Sequence, residues 1–179
     1  CPRLAVLHLA SDRPDRLERE VRRALADWPD RGFHVARLYA LEALAMAELY
    51  RGEAEAAHAR VEAAWAALER SGLFRVLVIA FEAWSLRARA ALAAGASDRG
   101  ARRILATCLR ALRGLDVPAA RAEVRLLRAQ RSALRGRRAE AAELFDEAAA
   151  RYEAAEQRVH AAAARLGRST CVAGQEAAR

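Results

Sequence analysis

Two apolar patterns follow one another along residues 33–72. In FHVARLYALEALAMAELYRG the side chains are apolar nearly all the way round a helix, interrupted before Arg51 by His34, Arg37, Glu42 and Glu48. A helix of that kind must be covered on several sides. In EAEAAHARVEAAWAALERSG, Ala57, Val61, Ala64, Trp65 and Leu68 recur at helical spacing and form a single apolar face. Gly52 and Gly72 stand where these helices stop, because glycine enters the left-handed turn at little cost. The stretch predicts a helical hairpin with more apolar surface than one hairpin can bury, and therefore a stack of hairpins.

The remainder of the chain reads in the same terms. Residues 3–10 form the end of a helix. Ser11 or Asp12 caps the next one, with Pro14 in its first turn and Leu17, Val21 and Ala24 on one face. The segment Trp28-Pro29-Asp30-Arg31-Gly32 breaks that helix. A third hairpin opens near Leu73 with LFRVLVIAFEAWSLRARAALAAG and is ended by Gly95. Ser97 is placed to cap a helix carrying Ile104, Leu105, Cys108, Leu109 and Leu112, which Gly114 closes. Asp116 and Pro118 then start a helix running to about Arg135. Gly136 turns the chain into RRAEAAELFDEAAARYEAAEQ, and a last helix covers about 159–166. After Gly167 periodicity is lost, so residues 167–179 are expected to fray.

Successive turn residues Asp12, Gly52, Gly95 and Gly136 lie about 40, 43 and 41 residues apart. Five, nine and twelve positions beyond each stand Leu17/Val21/Ala24, Ala57/Val61/Ala64, Gly100/Ile104/Thr107 and Ala141/Phe145/Ala148. A small residue, a larger apolar one and another small one let the second helix nest on the first; the third copy is degenerate. This spacing resembles the second helix of tetratricopeptide repeats, with two departures. The family repeat is about 34 residues, shorter than these units, and the Trp–Leu-Gly–Tyr signature of the first helix is absent. The resemblance implies an all-α, tetratricopeptide-like solenoid of about eight or nine helices forming a single repeat domain over residues 1–166. A chain that starts at Cys1 amid apolar Leu4, Val6, Leu7 and Leu9 reads as a piece of a longer array.

A second resemblance covers most of the chain. The segments FHVARLYALEALAMAELYRGEAEAA, LFRVLVIAFEAWSLRARAALAAG and FDEAAARYEAAEQRVHAAAARLG resemble the C-terminal helical region of large bacterial serine/threonine protein kinases of the eukaryotic-like type. Related arrays occur in multidomain ATPase-type transcriptional regulators, which supply the alternative parent. The kinase resemblance implies a non-catalytic protein–protein interaction scaffold, with a protein partner, an acidic peptide segment or the N-terminal kinase domain of the same chain as its target. The residues carry no glycine-rich phosphate loop, HRD-type loop, DFG or P-loop, so any catalysis of a parent is expected outside them and no cofactor is expected.

Composition narrows the partners. Apolar residues make up 54% and aromatic ones 6%, so alanine carries much of the apolar fraction and suits close helix packing. The 31 basic residues are all arginine, balanced against 23 acidic ones for a net charge of +8. That excess permits an acidic partner. It does not by itself make a nucleic-acid face, which needs accessible stacking aromatics or a recognition helix. Cys1, Cys108 and Cys171 are widely separated and odd in number, which fits a reducing, cytoplasmic setting. No apolar run approaches the ~20 residues of a membrane span.

His8, His34, His58 and His160 are isolated, so no metal site is expected. Cys108 lies on an apolar face and reads as an inert core thiol. Trp65, Phe81, Trp84, Phe145 and Tyr152 read as core, and Glu18–Arg22 and Glu123–Arg128 as solvated helix faces. One feature goes beyond scaffold. Arg121, Arg125, Arg128 and Arg135 fall within about 80° of one another on a helical wheel, with Val124, Leu127 and Leu134 to one side. This is the first helix of its hairpin, the one that lines the groove in tetratricopeptide proteins. The row is therefore the candidate receptor for carboxylates or phosphates.

Overall fold

The computed structural model describes residues 2–26, 32–95 and 98–176. Among them are nine α-helices and no strand: α1 (Pro2–Ala10), α2 (Pro14–Ala26), α3 (Val35–Tyr50), α4 (Ala54–Arg70), α5 (Leu77–Ala94), α6 (Arg99–Gly114), α7 (Pro118–Leu134), α8 (Arg138–Ala154) and α9 (Arg158–Glu176), with a 3-10 turn at Leu73–Arg75 before α5. The chain is thus all-α. Its contacts divide it into two compact units, Cys1–Arg102 and Arg103–Arg179.

One hairpin turn recurs. At Asp12, Gly52, Gly136 and Glu156 the backbone enters the left-handed region, with φ of 52°, 79°, 74° and 58°. Each is followed by a residue whose N–H reaches back to a carbonyl five positions earlier: Arg13 to His8, Glu53 to Glu48, Arg137 to Ser132 and Gln157 to Tyr152. That residue's own carbonyl then accepts the first bond of the next helix, from Leu17, Ala57, Ala141 and Ala161. One residue therefore ends one helix and starts the next. This leaves no slack and forces the two helices against each other. The four residues that close these turns on the following helix, Leu17, Ala57, Ala141 and Ala161, are all buried.

The third copy differs from its reading in the sequence. Gly95 has φ −95° rather than a left-handed value. Gly100 and Thr107 are exposed, while Ala101, Leu105, Cys108 and Leu112 are buried. The cause is the cap. Asp98 accepts the Gly100 and Ala101 N–H groups at 2.8 and 3.2 Å, so α6 starts at Arg99 and its packing face lies one residue later than a count from Gly95 gives. In the correct register the copy is small–large–small, Ala101–Leu105–Cys108. Ser97 lies outside the described residues, as do the breaker positions Trp28 to Arg31. Two further caps are corrected. Val117, held extended before Pro118, takes the N-cap of α7 in place of Asp116. Asp12 is a turn residue, and Arg13 is the one that leads into α2.

In the first unit α1, α3 and α5 touch in succession, with α2 and α4 each packed between neighbours, a pattern consistent with a helical repeat. Ala57, Val61, Trp65 and Leu68 of α4 are buried with Leu38, Leu41, Ala45, Ile79, Ala83, Leu86 and Ala90, and Ala64, Phe74 and Trp84 complete that core partly exposed. Arg87 lies 4.1 Å from the centre of the Trp65 ring and forks onto Glu62 through two 2.6 Å bonds. In the second unit Ala141, Phe145, Ala148, Ala149 and Tyr152 of α8 are buried with Ala122, Leu126 and Ala129 of α7 and Ala161, Ala164 and Cys171 of α9. Other neighbouring helices are also clasped through arginine: α2 to the end of α3 by Arg51 on Glu18 at 3.3 Å, α3 to α4 by Arg60 on Glu48 at 2.9 Å, α7 to α8 by Arg125 on Glu147 at 3.1 Å, and α8 to α9 by Arg168 on Asp146 at 2.7 Å.

Residues 167–176 of the expected frayed tail are instead helix. α9 runs through Gly167 to Glu176, and Cys171 is buried. Gly167 is a packing glycine rather than a stop: a Cβ there would stand 2.6 and 2.7 Å from the Phe145 ring. Alanine normally stabilises a helix interior over glycine by about 1 kcal/mol. Here Gly167→Ala is expected to lose about 1–3 kcal/mol through overpacking, with Phe145→Leu in the same background restoring part of the loss in chemical denaturation. Trp65, 4% exposed, is expected to cost about 3–5 kcal/mol on replacement by Ala; an unchanged melting temperature would contradict its place in the core.

Candidate functional site

Helix α7 is buried along most of its circumference, and its arginines occupy the remainder. Arg121 is exposed, and Arg125 is engaged by Glu147 of α8. Arg128 is half-buried, and its Nε is fully buried with no acceptor. Arg135 is exposed at the C-cap. The row of four is therefore not uniform, because Arg125 is already neutralised. The structure adds Arg131, which the helical wheel had left aside. Burial, and then the neighbouring charges of Arg135, Arg128 and Arg137, push its guanidinium below the usual arginine range, with Glu140 opposing them. Arg128, Arg131 and Arg135 thus concentrate positive charge at the C-terminal end of α7, where the helix carbonyls attract it. Val124 and Leu127 are buried, whereas Leu134 is 60% exposed beside the arginines.

Glu123 corrects a second expectation. It is fully buried and accepts the Tyr152 hydroxyl, tying α7 to α8, rather than lying on a solvated face. Glu18–Arg22 does form its expected i,i+4 pair, with Arg51 as a further partner. His8 is engaged by Glu20 at 2.9 Å, and His160 stacks on Tyr152. Among the described residues no group of three or more His, Cys, Asp or Glu side chains could hold a metal ion, and no helix is long and apolar enough to cross a membrane.

The first unit contains a polar group that the sequence did not reveal. Glu42 of α3 and Glu82 of α5 each carry a buried Oε2 without a hydrogen-bond donor. Burial and then the Glu82 charge raise the Glu42 carboxyl to about 7, with Arg89 opposing. Glu82 is raised by burial alone. Tyr39 is also raised, by burial and then by the two carboxylates. Ser85, 4% exposed, has no partner for Oγ. In the sequence Glu42 reads as a polar interruption of an apolar helix and Glu82 carries no signal of its own; forty residues separate them, and the contact of α3 with α5 makes them neighbours.

No family model, curated protein or solved structure matches the chain. The chemistry on offer is therefore read from the side chains themselves: carboxylates and hydroxyls that lack donors on α3 and α5, and guanidiniums that lack acceptors on α7.

Because the Glu42 carboxyl is raised in the folded state, folding binds its proton more tightly. Its contribution to stability is complete below about pH 4.5 and is lost as pH rises through about 7. Glu42→Gln is expected to flatten that slope, gaining on the order of 2–3 kcal/mol relative to the parent at pH 8 and little at pH 4. Denaturation midpoints across this range measure it, and Glu82 leaves a residual slope of the same sign.

Proposed function

We propose that the chain is a non-catalytic protein–protein interaction scaffold, a tetratricopeptide-like segment from the C-terminal array of a bacterial serine/threonine protein kinase, working in the reducing cytoplasm. Its target is an acidic segment of a protein partner or of the parent's own domains. The single observation that carries this reading is the grouping of Arg128, Arg131 and Arg135, for which no ion-pair partner occurs among the described residues, around exposed Leu134. Clustered arginines raise one another's free energy, and a carboxylate-bearing ligand relieves that cost while the forked donors orient it. The apolar Leu134 then favours a polypeptide over a small anion. Solenoids typically work through such extended surfaces rather than through chemistry of their own.

A fluorescein-labelled oligoglutamate peptide followed by anisotropy tests the reading. Joint replacement of Arg128, Arg131 and Arg135 by Gln is expected to weaken binding at least about ten-fold, while Arg121→Gln changes it little, each lost charged contact being worth about 1.5–3 kcal/mol. Equal affinity of the triple variant would overturn the proposal. Tighter binding of duplex DNA with a log–log salt slope of several would replace it with nucleic-acid recognition.

A further inference from the structure

Tyr39 and Glu42 are three positions apart on α3. Glu82, Ser85 and Arg89 follow at three and four positions on α5, so each set shares one helix face. The two helices touch. Each of these faces begins with an apolar residue one turn earlier, Val35 at 38% and Val78 at 56% exposure. On these faces three polar atoms are shut off from water and have no hydrogen-bond partner among the described residues, the Oε2 atoms of Glu42 and Glu82 and the Oγ of Ser85. Buried acceptors are almost always satisfied, and three orphans on two touching helices mark a place where donors are missing. On the other elements packed against α3, Glu18 pairs with Arg22 and Arg51, Glu20 with Arg16 and His8, and Arg60 with Glu48. Arg89 partly offsets the Glu42 carboxylate.

We propose that Tyr39, Glu42, Glu82 and Ser85 form a receptor for a single guanidinium group, an arginine presented by a protein segment lying against Val35 and Val78. A guanidinium supplies five N–H donors in a planar fork and accepts none, which matches two carboxylates and two hydroxyls. Entry of the cation holds both carboxylates ionised, so binding releases a proton around neutral pH and tightens as pH rises. The proposal rests on the reading of the chain as an interaction module. It concerns α3 and α5 alone, so its failure leaves capture of acidic peptides by α7 untouched.

The test uses the whole chain labelled with ¹³C at glutamate carboxyl carbons, titrated with Nα-acetyl-arginine N-methylamide and, separately, with the citrulline analogue, its neutral isostere. A saturable shift of the Glu42 resonance and a fall of its midpoint by about one unit or more are expected with the arginine compound alone. Glu42→Gln and Glu82→Gln are each expected to weaken binding about ten-fold or more, and Ser85→Ala by a smaller factor, with circular dichroism reporting that helix content is kept. If Glu82→Gln loses helix content, the Ser85→Ala comparison and the parent titration decide. No saturable shift, an equal response to citrulline, or a stronger response to Mg²⁺ or Ca²⁺ would overturn the proposal.

Discussion

A turn in which one residue both closes a helix and opens the next dictates much of this molecule. Such a junction holds the two rods at contact distance from their first residues, so the side chain that lands there must be one that fits: Leu17 in α2, Ala57 in α4, Ala141 in α8 and Ala161 in α9. The left-handed residue that makes this possible is glycine at two of the four turns. At the others it is Asp12 and Glu156, and at Asp12 the side chain also accepts the Tyr50 hydroxyl at 2.8 Å, so an unfavourable backbone angle is offset by a bond to α3. Close approach then makes alanine the natural core residue, and the abundance of alanine follows from geometry rather than from helix preference alone.

Narrow interhelical spaces leave the edges of each pair to long side chains. Arginine fills that role repeatedly, reaching from one helix to a carboxylate on the next, as in Arg60 to Glu48, Arg87 to Glu62 and Arg168 to Asp146. Partly exposed pairs of this kind add little each to stability. Their value lies in lateral register, since the forked guanidinium fixes which turn of one helix faces which turn of its neighbour. Arg128, Arg131 and Arg135 at the end of α7 take no part in such clasps, and the proposed capture of acidic segments rests on their grouping.

Legibility from the sequence followed the physics of neighbours along the chain. The hairpin of α3 and α4 and its packing residues Ala57, Val61 and Trp65 were readable because periodicity and turn glycines are local. The register of α6 was misread because the cap, Asp98, outranks the glycine that precedes it. Helix α9 was cut short because Gly167 looks the same whether it ends a helix or makes room for Phe145. Glu42 with Glu82, and Glu123 with Tyr152, could not have been found by spacing, for each pair is assembled by helices folding onto one another. The arginine row was visible on the wheel, but whether a given guanidinium has a partner depends on the next helix, as Arg125 and Glu147 show.

The two tryptophans among the described residues, Trp65 and Trp84, belong to the unit Cys1–Arg102, where their rings lie 4.7 Å apart, and no tryptophan occurs after residue 84. Indole emission and the near-ultraviolet dichroism of coupled rings are therefore private signals of that unit. The unit Arg103–Arg179 melts without altering its own indole signal, having none, and must be followed through amide dichroism or through the environment of Tyr152. The chain thus carries a built-in optical label on one of its halves, which lets the order in which the halves open be read without any engineered dye.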